Sequence, residues 1–122
     1  MSSKVRAGNV RLKRAYDAPA RGDGKRVLID RLWPRGVRKA DAAIAHWFKD
    51  LAPSTELREW FGHDPVRWRT FQRRYVAEIR EHAALLAQLR RLAQEGPLTL
   101  VYAARDETHN DAIVLRNVLL GR

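Results

Sequence analysis

The chain has 122 residues, of which 45% are hydrophobic and 31% are charged, so it can form one domain with a real core and is too short for two. It contains no cysteine, which excludes disulfides, a thiolate nucleophile and a zinc ribbon. No apolar run approaches a membrane span, and the first residues lack the apolar core of a signal peptide. We therefore expect a soluble cytoplasmic protein with no membrane partner.

The balance of charge is strongly basic. Lysine and arginine number 24 against 14 aspartates and glutamates, a formal net charge of +10, and only five of the basic residues are lysines. A domain this basic attracts polyanions, and arginine is the residue that grips carboxylate or phosphate with a planar fork. A GC-rich genome would produce the same excess of arginine, so the bias alone does not define a function.

The first half of the chain predicts three strands and a short helix. After a basic arm at residues 1–9, apolar and basic residues alternate over Val10–Arg14, which is typical of an edge or half-buried strand. Val27–Ile29 is a continuous apolar run and predicts a central strand. Lys39–Ile44 is alanine-rich and predicts a helix, and the bulky aromatics of His46–Leu51 favour a third strand.

The second half is mainly helical. Ser54 is a suitable cap for a helix at Thr55–Phe61. From Trp68 to Ala93 apolar residues recur every three or four positions. One helix of that length, up to the stop at Gly96, would be about 45 Å long, whereas a domain of this size is only roughly 35 Å across. The pattern therefore predicts two helices with a break near His82.

Leu98–Ala103 is the clearest strand, and a final helix is predicted from Asn110 or Asp111 to Leu120. Strands interleaved with helices indicate the α/β class. We expect a single-domain three-layer sandwich with a small, largely parallel sheet, formed by residues 10–122.

If the strands are parallel, the segments that follow them share the carboxyl edge of the sheet, where open α/β sheets bind ligands. The side chains and amides expected to hold an anion there are those of Arg35, Ser54, Thr55, Arg58 and Arg105. Candidates for moving a proton are Asp30, His63 and Asp106.

The same edge residues also allow a structural interpretation. Asp30 can form salt bridges with Arg31, Arg35 or Arg105. Glu56 in the first helical turn competes with any bound anion, and Ser54 serves well as a cap alone. The four histidines fit no metal-ligand spacing, and nucleotide-binding glycine motifs are missing. We therefore expect neither a metal nor a cofactor.

Several ordered motifs resemble the YeaO-like family of bacterial domains of unknown function (DUF number 488). They are Tyr16-Asp17, the segments 30–36, 52–58 and 60–65, Phe71 with Arg74-Tyr75, and the segment 100–106. The resemblance covers about Val10 to Leu120 and implies no established activity, so whether the protein is an enzyme stays open.

Three functions remain at this point. The first is binding of a small anion, phosphate- or carboxylate-bearing, at the carboxyl edge. The second is a nucleic-acid-binding module that grips phosphates with basic helix faces, formed by Arg67, Arg69, Arg73, Arg74, Arg80, Arg90 and Arg91. The third is an interaction protein whose ion-pair cluster is purely structural.

Overall fold

Four strands form one sheet in the computed structural model, which describes residues 5–122. They are β1 (Val10–Arg14), β2 (Lys25–Leu28), β3 (His46–Trp47) and β4 (Leu98–Tyr102). Their order is β1-β4-β2-β3, and β4 pairs in parallel with β1 and β2, as β2 does with β3. The predicted α/β class with a parallel sheet is confirmed.

Five α-helices accompany the sheet in the described residues. They are α1 (Lys39–Ala42), α2 (Thr55–Phe61), α3 (Trp68–Glu81), α4 (Ala83–Glu95) and α5 (Asp111–Leu119). Short 3-10 turns lie at Ala7–Asn9, Arg21–Asp23, Lys49–Leu51 and Pro65–Arg67. No helix within residues 5–122 has the length and apolar character needed to span a membrane. Of the predicted basic arm, residues 1–4 lie outside the described residues.

The helix ends follow the capping residues of the sequence. The Ser54 side chain accepts a hydrogen bond from the Leu57 amide at the start of α2, and Asn110 accepts one from the Ile113 amide at the start of α5. The predicted break is confirmed at His82, where φ is −111° and ψ is 48°. The two helices that flank it therefore pack separately on the sheet.

The two faces of the sheet are covered differently. Side chains such as Val27, Leu98 and Leu100 form the main core with α2, α3, α4 and α5. The opposite face is smaller: Leu28 and Val101 pack with Ala15 beneath Trp33, Val37 and Ile44. The third layer is therefore a loop that includes the single turn of α1.

The third strand is shorter than predicted. Only His46 and Trp47 belong to it, and the chain then turns through Lys49–Leu51. Leu51 is 1% exposed, and its carbonyl accepts a hydrogen bond of 2.6 Å from the hydroxyl of Tyr75. The segment leaves the sheet because this apolar residue packs into the helical layer.

A buried ion cluster lies at the amino edge, away from the predicted site. Asp23 is 5% exposed and Arg26 is 3% exposed, and Asp23 binds Arg26 at 2.7 Å and Lys13 at 3.1 Å. Burial raises the pKa of Asp23, but hydrogen bonds from the Ala20 amide, Lys13 and Arg26 lower it below its usual value overall. This cluster is structural, because the buried carboxylate and guanidinium satisfy each other.

Candidate functional site

Two carboxyl groups meet at the carboxyl edge of the sheet. Asp30 follows β2, Asp111 is the first residue of α5, and their side chains share a hydrogen bond. Asp30 Oδ2 also accepts a hydrogen bond of 2.8 Å from the amide of Ala103. Burial raises the pKa of both, and the neighbouring charge of Asp30 raises the pKa of Asp111 further. The pair therefore keeps a proton to higher pH than two separate carboxyl groups would, and in that state Asp111 donates to Asp30.

Other charged and polar groups surround this carboxyl pair. Burial first, and then the charges of Asp111, Asp30 and Glu78, raise the pKa of the buried Tyr75 hydroxyl. Electrostatic interactions with Arg58 and His63 act in the opposite direction and lower the pKa of Asp30 against the effect of burial. The structure thus brings together Asp30, Arg58 and His63, which the sequence had placed on three different segments.

The carboxylate of Glu78, a residue of α3, lies at the amino-terminal end of α2. Its two oxygens accept hydrogen bonds from the Ser54 amide, at 2.7 Å, and from the Ser54 hydroxyl, at 2.6 Å. The same hydroxyl caps the helix by accepting from the Leu57 amide at 3.1 Å. An internal carboxylate thus binds the Ser54 amide that was predicted to hold an anion, and the neighbouring Thr55 is the first residue of this helix.

Asp106 organises the loop after β4. Its carboxylate accepts hydrogen bonds from the amides of Thr108 and His109, at 2.9 and 3.0 Å. The hydrogen bond from the Thr108 amide is the main reason that its pKa falls to about 2. His109 Nδ1 lies 3.0 Å from Asp106 Oδ2. Asp106 is therefore an anchor for the loop and for the ring of His109.

A row of aromatic rings joins the loop after α2 to the loop after β4. His63, which has a left-handed φ of 57°, lies 6.2 Å from Phe61 between ring centres. Phe61 is 5.9 Å from Trp68, and Trp68 meets His109 edge-on at 5.3 Å. These packed rings fix the relative positions of the two histidine-bearing loops.

The predicted arginines differ in their surroundings. Arg58 and Arg105 are exposed, and within residues 5–122 neither forms an ion pair within 4 Å or a side-chain hydrogen bond. Arg35 is also exposed, but its carbonyl accepts a hydrogen bond of 3.0 Å from Tyr16, which follows the outermost strand β1. The chain beyond Asp30 turns onto the smaller face with Trp33, which separates Arg35 from the helical layer that carries Arg58.

Two residues of this site were not predicted. Asp111 was interpreted only as a helix start, because nothing in a sequence pairs it with Asp30 across 81 positions. Glu78 lies in the middle of α3, close to its buried face, and carries no motif. Its role follows from the docking of α3 beside α2, and only a known helix arrangement would have indicated it.

A cavity of about 290 Å³ lies elsewhere, between β3, the turn that follows it and α4. Its lining includes Trp47, Lys49 and Leu85, and neither Arg58 nor Arg105 borders it. In the described part of the chain, no three His, Asp or Glu residues are grouped as a metal site.

The fold and this edge define a small parallel α/β protein with a carboxyl pair and free arginines beyond the strand ends. The chain belongs to the DUF488 family: the family model described as the inactive DUF488-N3 subclade matches residues 9–122. The predicted resemblance is thereby confirmed.

Two relatives illustrate the similarity. The chain is 44% identical over 111 residues to the uncharacterized protein YeaO of Escherichia coli (strain K12), which covers 91% of this chain and 96% of YeaO. It is 46% identical over 118 residues to the uncharacterized protein Rv3073c of Mycobacterium tuberculosis (strain H37Rv), covering 97% and 99%. No solved structure matches the chain.

Proposed function

We propose that the protein binds a small anion-bearing molecule at the carboxyl edge of its sheet and releases it unchanged. The observation that carries this proposal is Arg58, an exposed guanidinium beside the carboxyl pair that has no hydrogen-bonded partner within residues 5–122. A fork of five N–H donors in that position is suited to phosphate or carboxylate.

The surrounding carboxylates favour an anion over a cation. Glu78 is held by Ser54, Asp106 is held by its own loop, and Asp30 receives hydrogen bonds from Asp111 and the Ala103 amide. At this edge, the charged groups that lack such bonds within the described part of the chain are Arg58 and Arg105. An incoming anion would therefore supply the acceptors that these two guanidinium groups lack.

Several features speak against catalysis. Ser54 has a structural task, because its oxygen accepts from the Leu57 amide as the cap of α2 and its hydroxyl donates to Glu78 of α3. Asp106 has a pKa of about 2, far below that of an efficient proton carrier at neutral pH. The family description, an inactive subclade, agrees with a site that retains binding. The cysteine-free chain suits the reducing cytoplasm, where we propose that it acts.

The test is a titration of ¹⁵N-labelled protein with inorganic phosphate and with acetate, at constant ionic strength, followed at the arginine Nε–H signals. We expect the Arg58 signal to shift and saturate. Followed at the Arg105 Nε–H signal and at the backbone amides of residues 103–106, which the substitution keeps, Arg58→Gln should weaken binding at least tenfold, because it removes the charge-assisted donors.

The matched control is Arg21→Gln. Arg21 is exposed and lies in the turn before β2, at the opposite edge of the sheet, so it should leave the affinity unchanged. If neither anion shifts Arg58 more than Arg21, or if Arg21→Gln weakens binding equally, the ligand site is absent. The edge cluster would then be purely structural.

A further inference from the structure

A second positively charged feature lies on α3, away from the carboxyl pair. Arg69, Arg73 and Arg80 are separated by four and seven residues, so at 100° per residue they point within about 40° of one another. All three are exposed. We name this row, defined by Arg69, Arg73 and Arg80, the arginine stripe.

No carboxylate neutralises the arginine stripe within the described residues. Among those residues, its side chains form one hydrogen bond, from Arg73 to the Thr70 hydroxyl at 3.4 Å. Of the two acidic residues in α3, Glu78 is bound to Ser54 on the far side of the helix. Glu81 lies roughly a quarter turn or more from each arginine of the stripe. The stripe therefore presents three uncompensated charges to solvent.

The fourth arginine of α3, Arg74, lies about 100° or more around the helix axis from each arginine of the stripe. The guanidinium of Arg74 lies 4.6 Å from the ring centre of Trp60, and that of Arg67 lies 5.3 Å from the same ring. Stacking of this kind orders a guanidinium and leaves its in-plane donors free. Arg67 is also near Asp64, at 3.8 Å, so Arg74 is the more available of the two.

The partner that fits is a chain of phosphates. The stripe spans about 16 Å along the helix axis, and one strand of a duplex presents about five phosphates over that length. A lipid surface fits less well, because a membrane-bound helix inserts its apolar face. Here that face, with Phe71, Tyr75 and Ile79, is buried in the core.

We propose that the arginine stripe docks on the phosphate backbone of nucleic acid, without reading its sequence. This role is separate from anion binding at Arg58, since it uses a different helix face and a polymeric ligand. Contacts to backbone phosphates position a protein on nucleic acid and carry no base specificity.

The experiment measures binding to duplex DNA, single-stranded DNA and RNA across salt concentrations, with the parent and the triple variant Arg69→Gln, Arg73→Gln and Arg80→Gln. Glutamine preserves helix propensity, so thermal stability should be retained. We expect affinity at low salt to fall at least tenfold. The slope of log affinity against log salt on duplex DNA should shrink by up to about 2.7, the release expected for three phosphate contacts.

The matched control is the triple variant Arg21→Gln, Arg38→Gln and Arg122→Gln, which removes the same charge from other exposed positions. It should leave the slope unchanged. Equal losses in the two triple variants, no binding at low salt, or stronger binding to anionic phosphatidylserine vesicles would each overturn the proposal. If the stripe variant unfolds, the three single substitutions are tested instead. Each should reduce the salt slope on duplex DNA by about 0.9.

The two proposals fail separately. A stripe variant that loses nucleic acid should still show the phosphate response of Arg58. An Arg58→Gln variant should bind phosphate more weakly while its salt slope on duplex DNA stays that of the parent, because the three arginines of the stripe are intact.

Discussion

At the scale of residues, the carboxyl pair links stability to pH. The pKa values of Asp30 and Asp111 are raised in the folded protein, so their contribution is complete below the unfolded value of about 4 and declines as the pH rises through the raised values. Once both groups ionise, their repulsion opposes the closure of α5 on β2.

We expect Asp111→Asn to remove this decline. The amide still donates to Asp30 and does not ionise, so the variant should match the parent near pH 4 and exceed its stability by about 1–2 kcal/mol at pH 8. Urea unfolding from pH 4 to pH 9 measures the difference. Asp41→Asn, at an exposed carboxylate paired with Arg38, is the control, and parallel profiles for Asp111→Asn and the parent would contradict the shared proton.

Sequence reasoning reached part of this site. Asp30, Arg58 and His63 follow from the rule that segments after parallel strands share one edge. Their partners Asp111 and Glu78 do not follow from that rule. Glu78 comes from the middle of a helix, and its bond to Ser54 depends on the crossing of α2 and α3, which residue spacing does not encode.

At the scale of elements, strand β2 depends on the glycine that precedes it. Gly24 has a φ of +62°, and a Cβ atom there would lie 2.1 Å from the carbonyl oxygen of Pro97. That oxygen accepts the hydrogen bond from the Lys25 amide that begins the β2–β4 pairing. A side chain at position 24 would therefore force the first rung of the ladder apart.

We predict that Gly24→Ala destabilises the protein by about 3 kcal/mol or more, because backbone strain adds to a clash that no rotamer relieves. Gly36→Ala is the matched comparison. Gly36 also has a left-handed φ, +80°, but has nothing within 4 Å of a Cβ, so it should cost only about 1–2 kcal/mol. Thermal unfolding of both variants tests this, and equal losses would refute the role of Pro97.

Local sequence patterns predicted most helices and strands correctly, but the predicted third strand was too long. Helix α2 begins and ends where its cap and Gly62 require, and the break at His82 follows from the size of the domain. The strand predicted for His46–Leu51 ended early, because Leu51 is drawn into the main core. A short apolar run does not reveal which layer it will join.

At the scale of the whole molecule, the net charge of +10 opposes the folded state through self-repulsion. Several ion pairs, including Lys25 with Glu95 and Arg38 with Asp41, are exposed and contribute little to stability. The net charge follows from the sequence alone, whereas the strand order β1-β4-β2-β3 is known only from the structure.

We expect the melting temperature to rise by several degrees between about 10 and 200 mM sodium chloride, because salt screens the repulsion more than it weakens the buried Asp23 and Arg26 pair. The arginine stripe variant, with a net charge of +7 in place of +10, should show a smaller rise. A melting temperature that falls with salt would indicate that ion pairs dominate the stability.

The strand order also determines when each strand can pair during synthesis of the chain. Val10 in β1 pairs with Leu98 in β4, 88 residues later, and β2 depends on the same late strand. At translation rates of about 5–20 residues per second, β1 waits between about 4 and 18 seconds for its partner. Arg11 and Lys13, on alternate positions of that waiting strand, are charges that discourage pairing with another nascent chain.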